Sequence, residues 1–219
     1  MKLDSRSLLA LPTVALLAAL VPALSGCIPV VAVGVGAGAL LISDRRYAET
    51  YLADEAIQIR VSNRVGEKFG DKAHLNITSY NRMLLLTGEV PDAAMRAEVE
   101  KVASSVPNVK SVTNELQVAG ISNFGGRSND TYLTSKVKAR FIDANKFAAN
   151  HVKVVTEAGV VYLLGIVTQK EADAAVEIAR TTGGVVKVVK VMEVIPDEQA
   201  KQLDVRPAES TATKQPGSP

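Results

Sequence analysis

Residues able to do chemistry are scarce in this chain: among 219 residues there are two histidines, one cysteine and no tryptophan. His74 and His151 occupy equivalent places, each just before an alternating apolar run, and a paired metal site is the chemistry they could offer. Neither has a second ligand close in sequence, so both read as solvated strand-edge residues and no metal is expected. Glu89 has no carboxylate counterpart, since Ile166 stands in the matching place, so a repeated acid–base pair is missing. Neither an enzyme nor a cofactor is indicated. A third set is more informative. Tyr132, Lys136 and Arg140 recur at four-residue spacing and would share one helical face. An aromatic ring beside two cations suits the headgroup boundary of an anionic phospholipid membrane, where the ring is half buried and the bases meet phosphate. The matching residues in the first half are Ala56, Arg60 and Arg64, which keep the cations and lose the ring. With 25 basic against 23 acidic residues the net charge is +2, which points to no nucleic acid partner. No long insertion is present to build a pocket for a small-molecule substrate.

These residues are positioned by a block that occurs twice. Residues 75–90 and 152–167 align without a gap, Gly88 falling on Gly165 and Val90 on Val167. Each block reads as two strands joined by a tight turn at Asn81-Arg82 or Ala158-Gly159, because Asn and Gly tolerate the positive φ of two-residue hairpins. Leu84, Leu86, Gly88 and Val90 match Val161, Leu163, Gly165 and Val167 on one face of a strand. A glycine inside both strands suggests that a backbone or helix packs closely there.

A helix precedes each hairpin. Its apolar stripe is Ile57, Val61 and Val65 in the first copy, with Asp54 and Glu55 in the first turn. In the second copy the stripe is Leu133, Val137, Phe141 and Ala144, with Asn129 or Asp130 as N-cap. A second helix follows each hairpin, opened by Pro91-Asp92 or by the capping box Thr168…Glu171, and a third strand closes each copy over 109–118 and 185–195. The fold class expected is α+β, two tandem helix-strand-strand-helix-strand domains, each a small three-stranded mixed sheet covered by two helices. In copy two Val160, Tyr162, Leu164 and Ile166 point away from the domain's own helices, and an apolar second face must be covered. Either the first domain covers it, through Met83 and Leu85 among others, or a partner protein does.

The amino terminus carries a secretory signal: Lys2 and Arg6, then an apolar region from Leu8 to Val21. Leu24-Ser25-Gly26-Cys27 follows and looks like a bacterial lipobox, in which Cys27 becomes the first mature residue and carries the acyl chains. It is the only cysteine. The apolar, Gly-rich run from Ile28 to Ile42 is shorter than the roughly 20 residues a spanning helix needs. The expected organisation is therefore signal peptide 1–26, lipidated tether 27–46, first domain 47–118, linker 119–128, second domain 129–195 and disordered tail 196–219.

The element order resembles the BON domain, as do Leu84-x-Leu86-x-Gly88-x-Val90, Val161-x-Leu163-x-Gly165-x-Val167, and the openings Asn108-Val109-x-x-Val112 and Gly184-Val185-x-x-Val188. Two such domains behind a lipobox resemble the dual-BON outer-membrane lipoproteins of Gram-negative bacteria, the DolP family. The resemblance implies a lipid-anchored protein on the periplasmic face of the outer membrane. It implies binding of anionic phospholipid through the second BON domain, with Tyr132 standing where the family usually has Trp. It also implies support of envelope integrity and presence at division sites. The other class is a periplasmic interaction module that acts on envelope proteins and touches lipid only through its acyl chains. On either reading Cys27→Ala should detach the protein, since each buried methylene contributes about 0.8 kcal/mol. Fractionation after a carbonate wash checks this, and full retention of Cys27→Ala with membranes would defeat the anchor argument.

Overall fold

The computed structural model describes residues 44–120 and 124–205. Cys27 with the signal and most of the tether, and residues 206–219, lie outside the described residues. The first copy comprises α1 (Ala48–Phe69), β1 (His74–Tyr80), β2 (Met83–Val90), α2 (Ala93–Ser104), β3 (Ser111–Asn114) and β4 (Gln117–Val118). The second comprises α3 (Phe124–Ala144), β5 (Val152–Glu157), β6 (Val160–Val167), α4 (Gln169–Arg180) and β7 (Lys187–Val194), followed by α5 (Asp197–Asp204). Each hairpin is antiparallel and its middle strand pairs in parallel with the third, so both sheets are mixed. The fold class is α+β, as the periodicities indicate. In the first copy the third strand is split into β3 and β4, because Leu116 turns into the core between them.

Both hairpin turns take positive φ at their two central residues. The repeated glycines answer to backbone crowding: a Cβ on Gly88 would sit 2.1 Å from the carbonyl oxygen of His74, and one on Gly165 2.5 Å from that of His151. Each is held there by its register partner, Leu75 or Val152.

Each turn is secured by a buried aspartate on the preceding helix. Asp54, 0% exposed, accepts from the backbone N–H groups of Asn81 (2.8 Å) and Arg82 (2.7 Å) and from the Ser79 hydroxyl (2.7 Å). Asp130 accepts from Ala158 and Gly159, both at 2.8 Å. This corrects two sequence expectations. Asp130 is not an N-cap, because α3 begins six residues earlier and the linker's last residues are helical; Asp54 lies in the second turn of α1, not the first. Both acids serve turns remote in sequence, which helical position alone does not reveal.

Two cores lie between each sheet and its own helices. A third joins the copies: Tyr80 and Leu85 of the first meet Tyr162, Leu164, Ile166 and Val191 of the second, with Ile195 and Ala200 closing one side. Burial, with Glu115 of the first copy and Glu157 nearby, raises the Tyr162 hydroxyl above its ordinary value. Ala200 belongs to α5, so the tail read as disordered from 196 is instead helical to Asp204, and its apolar side covers part of the second sheet. Asn81, at the first turn, donates to Glu193 near the end of β7, whereas Glu157, at the second turn, accepts from Asn76 and Thr87. The strands of the two sheets thus run in opposite senses, with the turns at opposite ends.

Arg45 and Arg46, read as the end of the tether, are pinned to different domains. Arg45 is buried and donates to Glu171 (2.6 and 3.0 Å), to Asp204 (2.7 and 2.9 Å) and to the Ile166 carbonyl. Arg46 donates to Asp44 and Asp54, and its guanidinium lies 4.1 Å from the Tyr80 ring centroid. His151 is buried beside this cluster, 3.6 Å from both Glu171 and Asp204, which corrects its reading as a solvated residue. Arg45 already occupies both carboxylates, so burial and the neighbouring guanidinium hold His151 below its ordinary 6.5. Burial opposes ionisation of Glu171, but the Arg45 hydrogen bonds win and hold it below the usual carboxylate range. The same hydrogen bonds lower Asp204.

Two outcomes follow for stability. Asp54→Ala leaves two turn N–H groups and the Ser79 hydroxyl without their acceptor, and should cost about 3 kcal/mol in urea denaturation; a loss under about 1 kcal/mol would contradict the assigned role. Neutral His151 stabilises the fold above pH 6.5, and that contribution is lost as the pH falls below 6.5. The two lowered carboxylates keep theirs down to the ordinary carboxylate range and lose it as the pH falls from there through their depressed values. Melting temperature should therefore decline first below pH 6.5, and His151→Gln should abolish that first decline alone.

Candidate membrane-binding site

The helix α3 divides its residues between the domain and solvent by the 3.6-residue period. Leu133, Val137 and Phe141 are buried against the sheet. Tyr132, one position round, is 62% exposed. The Lys136 ammonium lies 5.7 Å from the Tyr132 ring centroid and donates to the Gly183 carbonyl at 3.0 Å. Arg140 turns inward: it donates to the Ile178 carbonyl (2.8 Å) and to the buried Thr182 hydroxyl (2.7 Å), bracing the end of α4 where carbonyls lack helical partners.

Structure thus brings Tyr132 and Lys136 together and gives Arg140 a bond inside the domain. The first copy has the same brace, Arg64 to the Ser105 carbonyl and hydroxyl. That equivalence was present in the duplicated sequence, but only the packing of the helix pair shows what the shared cation does.

One exposed side chain was missed. Val186 is 78% exposed in the connection between α4 and β7. This connection is tied to α3, because Lys136 bonds Gly183 and Leu133 packs on Gly184. Its counterpart in the first copy is Lys110, which is engaged with Glu193. The second domain therefore offers an exposed ring, an exposed aliphatic group and a cation along one rim, where the equivalent positions of the first hold Ala56, Lys110 and Arg60. An exposed valine in a Val-rich strand opening has no distinguishing sequence signal.

The rim lies at the end of the body remote from the Arg45 cluster, since Asp130 caps the turn at 158–159 while Arg45 holds the Ile166 end of the same sheet. Of the remaining residues singled out, Tyr162 and Leu164 are fully buried and Ile166 nearly so, and Val160 packs at the margin of the shared core. Among the described residues no group of three His, Cys, Asp or Glu could hold a metal ion, and no helix is long and apolar enough to cross a membrane.

The BON domain family matches the chain twice, over residues 52–120 and 129–196. The chain is 37% identical to the outer membrane lipoprotein DolP of Haemophilus influenzae, over 78% of this chain and 89% of that protein. It is 31% identical to a 21 kDa hemolysin of Actinobacillus pleuropneumoniae, over 69% of this chain and 79% of that one. It is also 31% identical to the osmotically-inducible protein Y of Escherichia coli, over 69% and 78%. With two matched domains and relatives spanned along most of their length, the chain belongs to the BON-domain family, as a dual-BON outer-membrane lipoprotein of the DolP family.

Proposed function

We propose that the protein, anchored through Cys27 on the periplasmic face of the outer membrane, binds anionic phospholipid with its second BON domain and so supports envelope integrity, including at division sites. The observation that carries this reading is the asymmetry between the copies. Tyr132, Val186 and Lys136 form an amphipathic rim in the second domain, whereas the first has Ala56, Lys110 and Arg60 in those places. A tyrosine and a valine at headgroup depth bury apolar area, and Lys136 adds attraction to phosphate. Arg140 contributes less directly, because its Nη1 group is engaged inside the domain with Ile178 and Thr182.

Co-sedimentation of the chain lacking residues 1–27 with phosphatidylglycerol and with phosphatidylcholine vesicles tests this. Binding is expected to the first only, and to weaken with salt. Each cation near the surface is worth on the order of 1 kcal/mol, so Lys136→Glu should cost roughly thirtyfold. Tyr132→Ala with Val186→Ser should weaken binding without unfolding, as both side chains are exposed, and Arg60→Glu should matter much less. Equal losses from Lys136→Glu and Arg60→Glu would reduce the site to general electrostatics, and unchanged binding in the second-domain variants would remove it.

A further inference from the structure

The helix α5 is lightly held to the body. Its eight residues are too few to persist as an isolated helix. Its contacts with the apolar face of the second sheet run through Ala200 and Leu203, which lie with Ile166, Val191 and Ile195. The ion pair of its first turn, Asp197 with Lys170, joins two exposed side chains and contributes little. The clasp is Asp204 at the far end, whose two oxygens accept from Arg45 at 2.7 and 2.9 Å.

A guanidinium has five N–H groups. Those of Arg45 make two hydrogen bonds to Asp204, two to Glu171 and one to the Ile166 carbonyl. His151 stands behind them, 7% exposed. Its Nδ1 is 3.6 Å from Glu171 and its Nε2 3.6 Å from Asp204, too far to hydrogen-bond, and Nδ1 has no partner among the described residues. The charged groups facing the ring are Arg45 from the entering segment, Glu171 from α4 and Asp204 from α5. A neutral imidazole fits there. An imidazolium does not: both its N–H groups need acceptors, the carboxylates are already shared out to Arg45, and the guanidinium repels a second cation. Burial and Arg45 outweigh the attraction of the two acids, so a proton on His151 favours any state in which the ring meets water. Glu171 is tied in addition to the Thr168 N–H in the capping box of α4, whereas Asp204 is 37% exposed in the last turn of α5. Asp204 is the member that gives way.

We propose that α5 is an acid-released strap: protonation of His151 frees Asp204 from Arg45, and α5 lifts off the second sheet while both domains stay folded and paired. Ile166, Val191 and Ile195, each 7% exposed under the closed strap, then line an apolar patch that the body does not show at neutral pH. The first copy is not built this way, since His74 is half-buried and Met95 stands at the third position of α2, where α4 has Glu171. The strap lies at the opposite end of the second sheet from the lipid rim, so it holds whether or not the rim binds phospholipid.

Hydrogen–deuterium exchange of the mature protein in detergent micelles tests this, at neutral pH and at about pH 5, with rates corrected for the intrinsic pH dependence of amide exchange. Protection over α5 should fall about fivefold or more in acid, while β5 and β6 keep theirs. His151→Gln, which keeps a polar side chain and cannot titrate, should hold α5 protected at both pH values. Asp204→Asn should lower the neutral-pH protection toward the acid level of the wild type. Unchanged protection of α5 in acid overturns the proposal. So does an acid loss that survives in His151→Gln, which would assign it to the carboxylates. A simultaneous loss over β6 would be unfolding of the domain and would overturn it too, and full neutral-pH protection in Asp204→Asn would remove the clasp and the proposal with it. Should His151→Gln fail to fold at neutral pH, a pH series on the wild type decides. Release must begin near pH 6.5 and follow the uptake of one proton, and an onset in the carboxylate range overturns it.

Discussion

A three-stranded sheet has two faces, and in the second domain both are apolar. Its own helices cover one with the core around Val137, Phe141 and Leu163. The other carries Tyr162, Leu164, Ile166 and Val191, which leave water only if something is laid across them. At roughly 25 cal/mol per Å² of apolar surface, exposing several such side chains would outweigh the stability of a small domain. The first domain, through Tyr80 and Leu85, and α5, through Ala200, supply the cover. The pairing of the domains, the order of the carboxy-terminal helix and the burial of Arg45 all follow from closing that face.

Polar pins then fix the geometry that apolar contact leaves loose. Asp54 and Asp130 hold the hairpin turns to their helices, so each turn's N–H groups are satisfied where water does not reach. Arg45 and Arg46 are adjacent in the chain yet belong to different domains, one tied to Glu171 and Asp204, the other to Asp54 and Tyr80. A buried guanidinium tolerates low dielectric only when its donors are met, and Arg45 meets two carboxylates and a carbonyl. The chain therefore enters the folded body at a defined point between the domains.

Duplication supplied two copies of one scaffold and left their surfaces to diverge. The braces Arg64 and Arg140 are equivalent and structural. Around them the copies differ: the second exposes Tyr132 and Val186, the first exposes Ile59.

The sequence determined the repeat, the strand alternation, the positive-φ turns and the helix stripes, because these are local periodicities that follow from backbone geometry. It also marked the apolar second face, since alternation places Tyr162 and Leu164 opposite the helix-facing set whatever lies beyond. What covers that face was decided only by the tertiary structure. A short, polar, proline-flanked segment such as 197–204 has too little apolar surface to read as folded, and it becomes ordered because Ala200 and Leu203 meet a sheet built elsewhere. The same holds for His151, Asp54 and Arg140. Each is polar and reads as exposed, and each is drawn inward by partners dozens of residues away, whose approach depends on packing and not on spacing along the chain.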